Sequence, residues 1–374
     1  MALPQGFRIA QAPSAHMIVG ILIGCSLSSL IVMISIGQFR GHIRFRAMCH
    51  TAPLNCATKS SSHLKSTKTI ISSKVLAIEK LPRVLCLVLT SPANQRTRAK
   101  AVHDTWARRG CQHVLFMSSA TNATQQQSVS LSDNTQAEQD TDGAIHVQTT
   151  VALNVSEGHD KLWPKTRAAF QYAYAHYRYQ ADWFLKADDD TYVVVENLRL
   201  FLARHNSSSP IYFGCRFKPY VAQGYMSGGA GYVLSHAALK LLVEHGLSVA
   251  NSRNENQNKS KAIDNACLPT QTALGQPEDV VMGTCLAALG VQAGDSRDAR
   301  GRARFFALNP EFYLVPAPMD PKFWLTQYSY YPYTHGPSAC SDTAISFHYV
   351  PPHMMYVVDY LLFVLRKPTS SSSK

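Results

Sequence analysis

Asp188, Asp189 and Asp190 stand in a row shortly behind the apolar run Trp183-Phe184-Leu185. Three adjacent carboxylates repel one another unless a cation or hydrogen-bond donors compensate. On a strand, Asp188 and Asp190 point to one face and Asp189 to the other, so the outer pair can aim at one ion. Carboxylate oxygens suit Mg²⁺ or Mn²⁺, and such an ion neutralises charge developing on a diphosphate leaving group. A solvated acidic turn is the ordinary alternative for an isolated Asp-x-Asp. Four further features have ordinary structural readings, three of them with a functional alternative. Glu278 and Asp279 follow Pro277 as first-turn acids of a helix would. Lys165 either offers a point charge to a phosphate or faces solvent at a helix start. Gly228-Gly229 allows close backbone approach to a ligand or makes a tight turn. His348, in Ser-Phe-His-Tyr-Val, is a packed imidazole or a metal ligand.

These residues need a scaffold, and the pattern around them is β-α-β. Arg83–Leu89 and His113–Met117 read as strands with a helix at Thr97–Arg109 between them. Further strands are expected at Ala144–Val151, Asp182–Asp190 and Ile211–Gly214, and helices at Thr166–Tyr179, Leu234–His245 and Asp279–Leu289. That order favours a parallel sheet in an α/β domain. Ser118–Asp142 is rich in Gln, Ser, Thr and Asn and reads as a surface insertion.

The chain has 374 residues, 46% apolar and 16% charged, which excludes a mostly disordered protein. Lys+Arg 36 against Asp+Glu 24 gives a net charge of +12, and the isoelectric point is about 9.3. The bases form no stripe, so a phosphate-bearing small molecule fits better than nucleic acid. Met17–Gly37 is a 21-residue run without a charged residue, long enough to span the ~30 Å hydrocarbon core and too long for a cleaved signal. Arg40, Arg44 and Arg46 follow it, which by the positive-inside rule alone would leave the body in the cytosol. Four N-glycosylation sequons, at Asn122, Asn154, Asn206 and Asn258, argue for a luminal body instead. So do eight cysteines without CxxC spacing, Cys49, Cys56, Cys86, Cys111, Cys215, Cys267, Cys285 and Cys340. The expected organisation is a cytosolic tail (1–16), a membrane anchor (17–37), a luminal stem (38–80), a catalytic domain (81–367) and a flexible tail (368–374).

Taken in order, Thr90-Ser-Pro92, Trp163-x-Lys-Thr-Arg-Ala-Ala-Phe170, Phe184-Leu-Lys-Ala-Asp-Asp-Asp-Thr-Tyr192, Phe217-Lys-Pro-Tyr220 and Gly224-Tyr-Met-Ser-Gly-Gly-Ala-Gly-Tyr-Val-Leu-Ser235 closely resemble the core 1 β1,3-galactosyltransferases. Pro277-Glu-Asp-Val280, Ala293-Gly-Asp-Ser-Arg-Asp298 and Ser346-Phe-His-Tyr-Val350 extend the resemblance over about residues 83–366. It implies a GT-A α/β sandwich, Mn²⁺, and inverting transfer of galactose from UDP-galactose to the 3-hydroxyl of GalNAc on glycoproteins. It further implies a Golgi type II membrane enzyme, with a homodimer left open.

Carried over by position, the resemblance makes Asp188, Asp190 and His348 the metal ligands and Asp279 the general base. Leu89, Glu157, Gly158, His159, Lys165, Asp189 and Tyr349 would lie against the nucleotide sugar. Trp324, Gly228 and Gly229 would meet the acceptor. Expected disulfides are Cys86–Cys111, Cys267–Cys285 and Cys215–Cys340. Three departures stand out: His159 where the family has Arg, Ala339-Cys340 where it has Cys-Cys, and Trp324-Leu-Thr326 where it has Trp-Tyr-Trp. They admit a transferase with another donor or acceptor. A non-catalytic folding partner is disfavoured, because such relatives lack the Asp-x-Asp.

Overall fold

The computed structural model describes residues 81–120, 136–139, 145–247, 266–268 and 276–365, all within one compact unit, Lys68–Lys374. The expected cytosolic tail, anchor, stem and flexible tail lie outside the described residues, as do Asn122 and Asn258. Among the described residues no helix is long and apolar enough to cross a membrane.

The strands in chain order are β1 (Val84–Leu89), β2 (His113–Ser119), β3 (Gln136–Gln139), β4 (Ile145–Leu153), β5 (Trp183–Asp188), β6 (Tyr192–Val193) and β7 (Ile211–Gly214). They continue as β8 (Arg216–Phe217), β9 (Tyr225–Met226), β10 (Tyr232–Ser235), β11 (Gln292–Ala293), β12 (Phe305–Phe306) and β13 (Ser346–Phe347). The helices are α1 (Lys100–Asp104), α2 (Leu162–Tyr177), α3 (Val195–Leu202), α4 (His236–Leu241), α5 (Glu278–Ala288), α6 (Pro310–Leu314), α7 (Trp324–Tyr328) and α8 (Pro352–Asp359).

Eight strands form one mixed sheet in the order β11-β7-β10-β5-β1-β2-β4-β3. Its centre, β5-β1-β2-β4, is parallel, while β10 runs antiparallel beside β5 and β3 closes the far edge antiparallel to β4. Residues of β1 show why it sits centrally. Leu85, Leu87 and Leu89 point to one face, packing with Trp163, Phe170 and Ala173 of α2 and Met282 and Leu286 of α5. Val84, Cys86 and Val88 point to the other, against Val102 of α1, Leu198 of α3 and Met355 of α8. A parallel strand covered on both faces has to be apolar throughout. A second sheet, β12-β13-β6, and a third core around Phe217, Tyr225, Phe306 and Tyr313 flank the site.

Local expectations shift in instructive ways. The Thr97–Arg109 helix breaks at Thr105, whose hydroxyl donates to Ala101 O at 2.6 Å, so that Trp106 turns fully into the core. Leu234 belongs to β10, opposite Phe184. The helix starts only after Ser235, whose side chain caps it by accepting from Ala238 N–H. Within the expected surface insertion, Gln136–Gln139 pairs as an edge strand.

Cys86–Cys111 and Cys267–Cys285 are disulfide-bonded, with Cα atoms 6.0 and 4.5 Å apart. The third expected pair is corrected: Cys215 and Cys340 are free thiols. Both belong to the apolar core around Tyr313, and burial pushes the Cys215 thiol up to about 12 and the Cys340 thiol to about 11. As protonated thiols they pack like small apolar side chains. Asn154 and Asn206 are exposed.

Candidate active site

β5 ends at Asp188, in register with Leu89 at the end of β1. Two carboxyl-terminal strand ends therefore meet where the parallel sheet gives way to antiparallel β10, the kind of switch point at which α/β sheets bind ligands. The strand does not run through Asp190 as expected. Asp188 N–H donates to Thr191 Oγ1 at 3.3 Å, and that hydroxyl donates to Gly229 O at 2.7 Å. This turn, rather than strand alternation, brings Asp190 back beside Asp188.

His348 arrives from the far end of the chain. β13 pairs antiparallel with β6, Phe347 opposite Tyr192, and Val350 N–H donates to Asp190 O at 2.9 Å. The imidazole Nε2 lies 3.3 Å from Asp190 Oδ1, and Nδ1 lies 3.3 Å from Ala307 O. With an ion bound, a proton on Nδ1 would leave Nε2 to ligate; without one, Nε2 faces Asp190. One donor atom from each of Asp188, Asp190 and His348 falls within 4.8 Å of the others. Two carboxylates and an imidazole fit a hard or borderline divalent cation. Gly229 belongs to the same arrangement, because a Cβ there would come within 2.1–2.5 Å of the His348 ring.

Asp189 has partners of its own. Thr90 Oγ1 and Asn94 Nδ2 donate to its Oδ2 at 2.8 and 2.9 Å, yet burial raises its pKa. Arg98 lies 3.0 Å from Asp190 Oδ2 and 3.5 Å from Asp189 Oδ1. Burial also works against an ionised Asp190, but His348 and Arg98 outweigh it and hold this carboxyl below the usual range.

Across the Gly228-Gly229 turn stands Asp279, in the first turn of α5. Its Oδ2 accepts from Gly228 N–H at 3.0 Å and its Oδ1 from Val280 N–H at 2.9 Å. Burial raises its pKa, opposed by the Gly228 N–H and Lys186. Each oxygen keeps a lone pair for a proton. Trp324 is 40% exposed and makes edge contacts with Phe217 and Tyr328. The hydroxyls of Tyr220 and Tyr328 are 2.9 Å apart, and Tyr328 lies close enough to feel the Asp279 charge. These rings form an aromatic cluster within electrostatic reach of Asp279.

The sequence profile of the Fringe-like family matches residues 80–298, more than half of the chain. The chain belongs to the Fringe-like family. It is similar to glycoprotein-N-acetylgalactosamine 3-beta-galactosyltransferase 1 of Xenopus laevis, 41% identical over 290 residues that cover 77% of this chain and 68% of the relative. Human chondroitin sulfate synthase 3 is 27% identical over 173 residues, 42% of this chain and 17% of that protein. Among solved structures, the galactosyltransferase LgtC in complex with donor and acceptor sugar analogues aligns with 76% of this chain and 98% of its own, at 12% identity and a TM-score of 0.35.

In this Fringe-like chain the remaining expected residues take definite positions. Lys165 is buried, not solvent-facing. Its Nζ donates to Thr90 O and lies 2.8 Å from Glu157 Oε1, which pins α2 to the end of β1. Burial is opposed at Glu157 by Lys165 and Ser119, and these win, lowering its pKa. Gly158 adopts φ +142 and His159 is exposed. Tyr349 is exposed and stacks on His348 at 3.8 Å. Tyr349 and Tyr220 are the described non-glycine residues with positive φ, 53° and 69°, one on each side of the site. Such outliers persist where the surroundings hold them.

Gly228 and Gly229 contact Asp279 and His348 rather than open space. Glu278, read from the sequence as a first-turn acid of a helix, is buried, with Oε1 accepting from Tyr232 Oη at 2.6 Å. Sequence reasoning missed Arg98, Tyr328 and, above all, Lys186. Its signal was present: a lysine on the same strand face as Asp188, inside an otherwise apolar strand.

Proposed function

We propose that this chain transfers galactose from UDP-galactose to the 3-hydroxyl of GalNAc α-linked to Ser or Thr, inverting the anomeric centre. The observation that carries the reading is the metal-ready cluster of Asp188, Asp190 and His348 set opposite Asp279 in a chain so similar to the Xenopus 3-beta-galactosyltransferase. Mn²⁺ is the proposed ion and the GT-A sandwich the proposed fold type, supported by carboxylates at the carboxyl ends of a parallel sheet.

When bound, a divalent cation at Asp188, Asp190 and His348 supplies counter-charge to the diphosphate leaving group. The residues do the rest. Asp189, tethered to Thr90 and Asn94, fixes the loop after β1 against the turn after β5. Trp324 and Tyr328 offer ring faces to an acceptor sugar. Asp279 takes the hydroxyl proton on either carboxylate oxygen as the hydroxyl attacks. The Gly228 and Val280 N–H groups keep that carboxylate oriented, and its raised pKa strengthens it as a base. A Golgi type II setting, with UDP-galactose and glycoprotein acceptors as partners, completes the proposal.

The test is incubation of the full-length protein with a GalNAc-α-Ser/Thr peptide, a panel of UDP-sugars and Mn²⁺. The expected product is a β1,3-linked galactosyl-GalNAc peptide formed from UDP-galactose alone. Transfer of another sugar, or none with any donor, would overturn the reading.

A further inference from the structure

Lys186 is 2% exposed in the middle of β5, a place where an ammonium group costs free energy unless it is paired. Its partners are unusual in what they connect. Nζ lies 2.7 Å from Asp188 Oδ1 and donates to Gly228 O at 3.1 Å, with Glu278 Oε2 at 3.9 Å. Gly228 in turn donates its N–H to Asp279 Oδ2 at 3.0 Å. Tyr232, cross-strand from Lys186, holds the other Glu278 oxygen at 2.6 Å.

We propose that Lys186 is a positioning residue that sets the metal carboxylate Asp188 and the proton acceptor Asp279 in one fixed relation. An ammonium has three donors; here it hydrogen-bonds the carbonyl of Gly228, the residue whose N–H orients the base, and lies in ion-pair range of the metal carboxylate and of Glu278 at the start of the base helix. Asp188 Oδ1 is sealed from solvent and has no hydrogen-bond partner, so the Lys186 ammonium at 2.7 Å is its counter-charge, and Oδ2 is the oxygen left for a cation. Outer contacts that orient a ligating carboxylate typically change metal affinity or activity 10–100-fold when lost. Charge balance alone would explain less. Glu278 suffices to neutralise a buried lysine, yet the shortest contact is to Asp188, and the hydrogen bond goes to the Gly228 carbonyl.

The inference rests on the galactosyl-transfer reading only for its turnover measurement. Lys186→Met strands Asp188 and Glu278 and is expected to lower the melting temperature. Lys186→Met combined with Glu278→Gln removes both buried charges, and it should regain most of that loss. If Lys186 positions the site, the double variant still binds UDP in the presence of Mn²⁺ at least ~10-fold more weakly than the unaltered protein. It also turns over ~100-fold more slowly. Lys186→Arg, which keeps the charge but presents a planar fork, serves as the second variant and should lose at least ~10-fold in turnover.

Unaltered Mn²⁺–UDP affinity and turnover in the double variant, or full turnover in Lys186→Arg, would reduce Lys186 to charge balance and overturn the proposal. Mn²⁺–UDP affinity is measured without acceptor. An unaltered protein that binds Mn²⁺–UDP but transfers no galactose therefore sinks the functional reading and leaves this comparison intact.

Discussion

Asp279 and Glu278 are neighbours in sequence with opposite fates. Asp279 stays half-buried with both oxygens held by backbone N–H groups, whereas Glu278 is sealed between Tyr232 and Lys186. Asp279→Asn keeps the shape but cannot take a proton, so turnover should fall at least ~100-fold with Mn²⁺–UDP affinity retained. Loss of affinity in step with rate would refute the base role. Burial raises the Asp279 pKa, and a base works ionised. The acid limb of turnover should therefore lie above the ordinary aspartate value of ~3.9 and vanish in Asp279→Asn. Glu278→Gln leaves Lys186 short of a counter-charge, so it should lower the melting temperature rather than act as a silent control. Gly229→Ala puts a methyl group where the His348 ring lies. It should weaken Mn²⁺–UDP binding ~10-fold or more in a folded protein, and unchanged affinity would show that His348 does not ligate.

At the scale of elements, the site depends on pieces remote in sequence being clamped together. α8 follows directly on the His348–Val350 segment and is tied back to the main sheet's helices. Arg109 makes two hydrogen bonds of 2.7 Å to the Asp359 carboxylate, Tyr192 Oη adds one at 3.2 Å, and Tyr356 Oη reaches Asp104 at 2.7 Å. Asp359→Ala would leave a half-buried guanidinium and a buried hydroxyl unpaired, at a cost of about 3 kcal/mol. A clear drop in melting temperature is expected, with Asp359→Asn milder. Identical melting of Asp359→Ala and the unaltered protein would mean that packing alone holds α8. The two disulfides act on the same level. Cys86–Cys111 joins β1 to the chain entering β2, and Cys267–Cys285 ties the short segment 266–268 to α5, each worth ~2–4 kcal/mol.

For the whole molecule, pH dependence follows from carboxylates whose ionised form is held by the fold. Burial opposes ionisation of Asp104, but Lys100, Tyr356 and His103 outweigh it, bringing its pKa to about 2. Asp298 is likewise at about 2, through the Arg302 and Arg300 backbone N–H groups and the Arg302 guanidinium. A depressed folded-state pKa means that the unfolded chain takes up the proton first as pH falls. The contribution of both groups is thus complete above about pH 4 and lost between about pH 4 and pH 2. Melting temperature should decline over that window, and less steeply in Asp104→Asn. The raised groups Asp189, Asp279 and Glu278 have the reverse sign and add stability as they protonate. A melting temperature that rises monotonically down to pH 2 would show that they dominate.

What the sequence by itself determined were the features written in local pattern. The apolar β1 and β5, the order of strands and helices, the Asp-x-Asp at a strand end and the first-turn Asp279 all follow from neighbours along the chain, whose periodicity reports burial directly. The tertiary structure decided which distant groups meet. Only the β13–β6 pairing sets His348 beside Asp190, and only the Gly228-Gly229 turn lets that imidazole and Asp279 approach from opposite sides. Lys165 could not be placed from the sequence, and for Lys186 the apolar strand around it gave a position but not its partners, since a lysine becomes interior only when partners from other elements converge on it. The same reason undid the Cys215–Cys340 expectation. Whether two thiols bond depends on separation and side-chain direction in space, and spacing along the chain carries no information about either.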